Sequence, residues 1–188
     1  FQDKFQFENG DEITGLDYGC GVGRNTILME EFNIKSTGLD ISKVAIKKAK
    51  EFFPSHSNNF YVVDGKKIDF PDLYFDISIC ESVLDSMHFK VANKLINELE
   101  RVTKHFIFIS LISDGSDVSR KIGEREEIVT NDHELGTVQS WYSWSKVKEL
   151  LSGTSLKMEW ANLISERSLI SDYSNDRYYL VLRNVNGE

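Results

Sequence analysis

The sequence predicts a doubly wound α/β fold, in which a largely parallel sheet carries helices on both faces. Three observations predict it. Short apolar runs alternate with helical patterns along residues 13–112, as in folds built from strand–helix–strand units. A glycine-rich turn at residues 19–23 joins the first apolar run to the first helical pattern, where ligand-binding turns lie in such folds. Residues 105–112, HFIFISLI, are almost continuously apolar, which is typical of a strand covered on both faces.

The first unit, residues 13–40, has the pattern strand, glycine turn, helix, strand. Residues 13–18 are an apolar run, a helical pattern follows at 26–32, and the second strand ends at Asp40. Alternating glycines let the backbone turn sharply and let a ligand approach where a Cβ would collide. The unpaired N–H groups at the start of the helix then face the polar end of that ligand. The unit therefore predicts a mononucleotide-binding half-sheet.

The alternation continues to a fifth strand. Ser42 is the predicted cap of a second helix, which ends before Pro54. The pattern then predicts a third strand at 59–63, a fourth at 75–80, a third helix at 89–102 and the fifth strand at 105–112.

Beyond residue 112 the pattern changes. Residues 113–140 are polar and charge-mixed, with a helical pattern around 118–127. A short helix is predicted at 145–151, and strands are predicted at 156–164 and 177–183. Long connections tend to be lids, binding loops or disordered surface loops. With no internal repeat and no linker, we predict a single domain over residues 1–188, in which residues 113–144 are a lid or insert over the site.

The charge and the cysteine and histidine content disfavour several classes of function. The net charge is 22 − 30 = −8, which disfavours a nucleic-acid partner because phosphate binding needs basic surface. The two cysteines, Cys20 and Cys80, have neither the number nor the spacing of a disulfide framework or zinc site, and the histidines show no metal-ligand spacing. We therefore expect no metal, a reduced cytoplasmic location and no membrane span.

The glycine spacing separates two classes of nucleotide site. A dinucleotide fingerprint needs a small residue at the sixth position of G-x-G-x-x-G/A. Counted from Gly19 the sixth residue is Arg24, and counted from Gly21 it is Thr26, so the fingerprint is absent. The pattern present is D-x-G-x-G-x-G, which begins at Asp17.

This loop, joined to GLDIS at residues 38–42, closely resembles the cofactor loop of class I S-adenosylmethionine-dependent methyltransferases. The resemblance covers residues 13–112 closely and the tail in pattern only. It implies a Rossmann-like, three-layer α/β sandwich with a seven-stranded sheet of order 3-2-1-4-5-7-6, whose last strand is antiparallel. It also implies S-adenosyl-L-methionine as cofactor and S-adenosyl-L-homocysteine as product.

The resemblance further implies which residues contact the cofactor. The glycine loop would hold its methionine part, Asp17 would orient the ammonium, Asp40 would bind the ribose, and Asp64 the adenine. The full set of implied cofactor-binding residues is Asp17, Gly19, Cys20, Gly21, Gly23, Asp40, Ile41, Asp64, Gly65, Glu81 and Ser82. Structural alternatives remain open: Asp40 is also a suitable helix cap, Asp64-Gly65 is also a turn signal, and the cysteines suit small buried positions.

Candidates for the chemistry and for the acceptor lie after the fourth strand and in the long connection. His88, close to Asp85 in sequence, is the candidate general base, and both are expected near the carboxyl edge of the sheet. His133, Gln139, Trp141 and Tyr142 are candidate acceptor-binding residues. Each also has a plain structural role open to it, as a helix-start, solvated or core residue.

Three functions agree with these features. The first is transfer of a methyl group to an oxygen or nitrogen atom of a small-molecule acceptor. The second is methylation of protein or RNA, which the acidic charge disfavours for RNA. The third is a non-catalytic subunit that binds S-adenosylmethionine and stabilises a partner. The sequence leaves the acceptor and the oligomeric state open.

Asp40→Ala tests the assignment of the nucleotide. We expect it to weaken S-adenosylmethionine binding by about 1.5–3 kcal/mol, the scale for losing a hydrogen bond to a charged group. Titration calorimetry with S-adenosylmethionine and with NAD measures this directly. Tight NAD binding without any response to S-adenosylmethionine would contradict the assignment.

Overall fold

The computed structural model of the chain describes residues 12–116, 125–130, 136–170 and 174–187. These contain four α-helices: α1 (Arg24–Glu31), α2 (Lys43–Phe52), α3 (Phe89–Val102) and α4 (Trp144–Leu151). The strands are β1 (Ile13–Tyr18), β2 (Ile34–Asp40), β3 (Phe60–Val62), β4 (Phe75–Glu81), β5 (Thr103–Ile112), β6 (Arg125–Ile128), β7 (Val138–Trp141), β8 (Leu156–Arg167) and β9 (Ser174–Asn184).

Seven of these strands form one sheet in the order β3-β2-β1-β4-β5-β9-β8. The short strands β6 and β7 pair separately as an antiparallel hairpin, so the sheet has the predicted order 3-2-1-4-5-7-6. Strand β9 runs antiparallel to both β5 and β8, while β1 to β5 pair in parallel. The predicted Rossmann-like sheet, with its last strand antiparallel, is confirmed.

Helices flank the sheet because each carries one apolar stripe. In α3 the buried residues recur at helical spacing: Ala92, Leu95, Ile96, Leu99 and Val102. They join the larger core cluster with β4, β5, β9 and α4. A separate, smaller cluster forms around Cys20, Ile46, Ala49 and Phe60 beneath α2. Both cysteines are free and buried, as expected for small apolar side chains.

The structure corrects the prediction of a helix around residues 118–127. Residues 125–127 lie in β6, where Ile128 pairs with Val138 and Arg125 pairs with Trp141. Cross-strand pairing here overrides a local helical pattern, because strand formation depends on neighbours distant in sequence. Residues 117–124 lie outside the described residues.

No helix in the described part of the chain is long and apolar enough to cross a bilayer.

The crossover from β3 to β4, residues 63–74, has no helix. Arg101 of α3 holds this segment in place. Its Nη2 donates to the carbonyl oxygen of Ile68 at 2.7 Å, and its Nη1 donates to that of Phe70 at 2.8 Å. Glu98 orients the guanidinium through bonds of 3.0 and 2.8 Å. One side chain thus satisfies carbonyl groups that a crossover helix would have satisfied internally.

Arg101→Met should lower the free energy of unfolding by about 1.5–3 kcal/mol, because two partly buried carbonyl groups lose a charged donor. Urea denaturation measures the change. Lys94→Met, an exposed position on the same helix, is the control and should change stability by less than about 0.5 kcal/mol. Equal effects in the two variants would contradict the role given to Arg101.

Candidate functional site

The glycine turn lies over the carboxyl ends of β1 and β2. The carbonyl oxygen of Leu39 accepts the N–H groups of Gly19 at 2.7 Å and Cys20 at 3.0 Å. Gly19 and Gly21 have positive φ angles of 76° and 54°, which L side chains rarely adopt. The turn therefore leaves β1, bonds across to β2 and delivers the chain to the start of α1.

The two sides of the turn have different surroundings. A Cβ on Gly19 would collide with the side chain of Val83, whereas an ideal Cβ on Gly21 has no heavy atom of the described residues within 4 Å apart from its own chain neighbours. Gly23, the residue before α1, has no side chain that could cap the helix. The first N–H groups of the helix therefore keep their donor capacity. The open side of the turn is a cradle in which a ligand can approach the backbone.

Asp40 ties this turn to the start of α2. Its Oδ2 accepts the N–H of Gly21 at 2.8 Å, and its Oδ1 accepts that of Ser42 at 2.7 Å. Ser42 itself caps α2 by accepting the N–H of Ala45 at 3.2 Å. Asp40 is therefore not the cap residue, and its half-exposed carboxylate lies beside the open turn.

Asp17 lies beneath the turn and is 2% exposed. The hydroxyl of Thr26 donates to its Oδ2 at 2.7 Å. The pKa of Asp17 is raised to about 6, mainly by burial and to a smaller extent by the negative charges of Glu81 and Asp40, while the hydrogen bonds from Thr26 oppose the shift. The carboxylates Asp17, Asp40 and Glu81 thus share one negative field, which favours a cationic ligand.

Glu81 and Ser82 follow at the end of β4. Glu81 is exposed and accepts a bond of 2.9 Å from the amide of Asn25, in the first turn of α1. Ser82 has a φ of 57° and donates its N–H to the hydroxyl of Ser110 at 3.0 Å. This strained turn holds the end of β4 open toward the glycine turn.

Ile41, Asp64 and Gly65 form the far end of the site. Ile41 is 67% exposed, and a Cβ on Gly65 would lie 3.1 Å from its Cγ2. Asp64 accepts the N–H of Lys66 at 2.9 Å, so it also stabilises the turn that the sequence signal indicated. The exposed side chain of Ile41 next to the bare backbone of Gly65 offers an apolar surface that suits a flat aromatic ring.

Asp85 lies behind the acceptor side of the site. It is 1% exposed, and its Oδ2 accepts bonds of 2.8 Å from Arg177 Nη1 and from the N–H of Ile112. Burial raises the pKa of Asp85, and the charge of Arg177 opposes the shift. Its other oxygen, Oδ1, is buried and finds no hydrogen-bond partner among the described residues. Asp85 is therefore held in the interior by Arg177 and by the backbone of Ile112.

His88 is held by the hairpin. Its Nδ1 lies 2.7 Å from Glu126 Oε2, and the other oxygen of Glu126 accepts the N–H of Phe89 at 2.7 Å. Both bonds lower the pKa of Glu126. The pair places an exposed imidazole, oriented by a carboxylate, at the start of α3.

The acceptor-binding candidates have different environments. Gln139 is half-buried, Trp141 is 6% exposed, and Tyr142 is fully buried with its hydroxyl donating to the Leu84 carbonyl at 3.0 Å. Trp141 lies beneath the guanidinium of Arg125, 3.9 Å from its ring centre. His133 lies outside the described residues. Of the described residues, none form a cluster that could hold a metal ion.

Residues 16–106 match the family model of a methyltransferase domain. The match begins in β1 and ends in β5, so it contains the glycine turn, Asp40 and Glu81. The match covers 91 of the 188 residues and supports a class I S-adenosylmethionine-dependent methyltransferase domain. S-adenosylmethionine is the cofactor of this family, and its two cationic groups fit the carboxylates around the open turn.

Similarity to known proteins agrees with the family. Over 93 residues the chain is 36% identical to 2-methyl-6-phytyl-1,4-hydroquinone methyltransferase of Synechocystis sp.; the match covers 48% of this chain and 29% of that protein. A Methanosarcina mazei methyltransferase structure has a TM-score of 0.76 at 17% identity and covers 93% of both chains. Magnesium protoporphyrin IX methyltransferase from Synechocystis, with bound S-adenosylmethionine, has a TM-score of 0.63 at 17% identity, over 92% of this chain and 71% of that one. These two structures show the fold.

Three site residues of this methyltransferase were missed by sequence reasoning. Asn25 holds Glu81, Glu126 holds His88, and Arg177 holds Ser82 and Asp85. Asn25, two residues past the last glycine, could have been found from its place in the first turn of the helix. Glu126 and Arg177 carry no such signal, because only the folded chain brings them to the site.

Asp17→Asn should have opposite effects on stability and on cofactor affinity at neutral pH. A folded-state pKa raised from 3.8 to about 6 means that ionising Asp17 costs the folded state up to about 3 kcal/mol above pH 6. This cost is absent below about pH 4, grows as the pH rises from about 4 to about 6 and is complete above that. The variant should therefore unfold less readily than the wild type at pH 7, and the difference should vanish near pH 4.

Chemical denaturation at both pH values measures that difference. S-adenosylhomocysteine affinity at pH 7 should fall by about tenfold or more in Asp17→Asn, since a buried charge that attracts the ligand is gone. Asp69→Asn, an exposed position, is the control for both measurements. A loss of stability at pH 7 without a loss of affinity would show that Asp17 is purely structural.

Proposed function

We propose that the protein transfers the methyl group of S-adenosylmethionine to an oxygen or nitrogen atom of a small organic acceptor. One observation carries this proposal: an open glycine turn, free of side chains at Gly21, lies among the carboxylates Asp17, Asp40 and Glu81 at the carboxyl edge of the sheet. Ligands of open α/β sheets bind at that edge.

Each part of the site suits one part of the cofactor. The N–H groups at the start of α1 suit the carboxylate of its methionine part, and Glu81, held by Asn25, suits the ammonium. Asp40 suits the ribose hydroxyls, and the exposed Ile41 beside Gly65 suits the adenine ring. When bound, S-adenosylmethionine supplies an electrophilic methyl group on a positively charged sulfur. The chain therefore has to orient the acceptor, exclude water and accept a proton.

Support for a small acceptor comes from the segment 113–144, which we propose is a lid within a single domain of residues 1–188. Its described parts dock on the loop after β4. Ser140 donates to the Met87 carbonyl at 2.7 Å, and Tyr142 bonds Leu84 at the base of the same loop. A cover at this edge encloses a space suited to a small molecule better than to a polymer.

The proton acceptor in this proposal is His88. Glu126 Oε2 fixes its Nδ1, which leaves Nε2 as the nitrogen that receives the acceptor proton. A histidine oriented by a carboxylate is a common general base. Because Glu126 belongs to β6, closing the hairpin onto α3 would also assemble the base.

The other two functions remain alternatives to be tested. The net charge of −8 and the acidic site disfavour RNA, a polyanion. A non-catalytic subunit would bind the same cofactor, so cofactor binding alone does not separate it from an enzyme. A cytoplasmic location stays a prediction.

The decisive experiment is a panel of phenols, hydroxy acids and amines incubated with S-adenosylmethionine and the protein, with each product read by its mass shift. A methylated product together with S-adenosylhomocysteine supports the proposal. Tight cofactor binding with turnover only in the presence of a co-purifying protein would favour the non-catalytic subunit.

His88→Gln should lower kcat by about 10²- to 10⁴-fold, the usual contribution of a general base, on the best acceptor of that panel. S-adenosylhomocysteine affinity should stay within about threefold, because His88 lies outside the cofactor cradle. His56→Gln, at a half-buried histidine in the turn Pro54–Asn59 and away from the sheet edge, is the control. An unchanged kcat in His88→Gln would remove His88 from the mechanism.

A further inference from the structure

We propose that the methyl acceptor carries a carboxylate group and that Arg177 binds it, with Asp85 as the residue that positions the arginine. This proposal rests on the proposed function and names the chemistry of its substrate. It comes from the acceptor side of the site, where an arginine from the last strand reaches the turn after β4.

The location of Arg177 follows from the sheet topology. Because β9 runs antiparallel to β5, its first residues lie at the carboxyl edge of the parallel strands, and Arg177 pairs with Ile112 at the end of β5. Its Nη1 donates to Ser82 Oγ at 3.1 Å. Ser82 directly follows Glu81, so the guanidinium adjoins the methionine end of the cofactor cradle.

One edge of the guanidinium is already used and the other is available. Nη1 bonds Ser82 and Asp85, while Nε and Nη2 donate to none of the described residues and are not among the fully buried atoms. The Nε–Nη2 edge presents two parallel N–H groups, the geometry that matches a carboxylate with two hydrogen bonds. Only 18% of the side chain is exposed, which keeps this edge in one orientation.

The ion pair with Asp85 accounts for the fixed orientation of the Arg177 guanidinium, but it adds little to the stability of the protein. A buried ion pair stabilises a protein only if its remaining polar atoms are satisfied, and Asp85 Oδ1 is buried without a partner in the part of the chain that the structure describes. The arrangement therefore bears a desolvation cost and yields a rigid guanidinium. Rigidity at a ligand-facing arginine reduces the entropy lost when a ligand binds.

The surrounding charge limits the acceptor to a single anionic group. Asp17, Asp40 and Glu81 repel anions from the cofactor side, so a carboxylate is favoured only next to Arg177. Fixing an acid group there, with the reacting oxygen or nitrogen elsewhere on the molecule, would orient the acceptor between Arg177 and the methyl donor.

The test uses the complex with saturating S-adenosylhomocysteine and four probes: benzoate, 4-hydroxybenzoate and their primary amides. Ligand-observed NMR titration gives each dissociation constant. In the wild type we expect each acid to bind at least about tenfold more tightly than its amide, which is the scale of one charged hydrogen-bonded pair.

Arg177→Lys keeps the charge beside Asp85 but loses the two-pronged edge. It should reduce acid affinity by about tenfold while amide affinity and S-adenosylhomocysteine affinity stay within threefold. Arg183→Lys is the matched control, since Arg183 lies on the same strand, is paired with Glu159 and is distant from the carboxyl edge. It should leave all four probes unchanged.

Several results would overturn the proposal: no acid binding in the wild type, equal affinities for acids and amides, or an acid preference that survives in Arg177→Lys. If Arg177→Lys does not fold, the double variant Asp85→Asn, Arg177→Gln removes both charges and should abolish the same preference. A wild type that does not bind S-adenosylhomocysteine at all would instead contradict the proposed function, so the two failures are distinguishable.

Discussion

The carbonyl oxygen of Leu39 accepts two backbone N–H groups, from Gly19 and Cys20, and the rest of the site depends on this interaction. It folds the turn after β1 over the end of β2, in the register that pairs Tyr18 with Leu39. The next residue, Asp40, then meets the N–H of Gly21 at 2.8 Å. The backbone of the turn and the carboxylate that we propose binds the ribose are therefore placed by the same strand pair.

The electrostatics of the site oppose folding and favour the cofactor. Burial raises the pKa of Asp17 to about 6, with Glu81 and Asp40 adding to the shift, so the ionised site is a source of stored unfavourable energy near neutral pH. A ligand with a sulfonium and an ammonium group offsets that energy. Without the cofactor, the protein is therefore less stable than the same fold would be with an uncharged site. Such a cost is common at binding sites.

The acceptor side is assembled differently, from segments far apart in the chain. Ser82 and Asp85 follow β4, Arg177 begins β9, and Glu126 lies in the hairpin. The hairpin reaches the site because Tyr142 and Ser140 hold β7 against the loop after β4. The cofactor side therefore belongs to one continuous half of the fold, whereas the acceptor side depends on the long connection and the last strand. If the proposed acceptor side is correct, variation in those two parts would change the acceptor without disturbing the cofactor cradle.

The sequence by itself predicted the class of fold and the location of the glycine turn, and its resemblance to a known family implied the order of the sheet and the cofactor. The class of fold and the turn depend on local signals: apolar periodicity, three alternating glycines, and acids at the ends of predicted strands. It also placed Asp85 and His88 after β4, but not what they contact. Only the tertiary structure showed that Asp85 is buried against Arg177, that Glu126 holds His88, that residues 125–128 form a strand, and that Tyr142 lies in the core. Each of these depends on contacts between residues at least 10 positions apart in the chain, such as the 92 that separate Asp85 from Arg177, and no local propensity records such pairing.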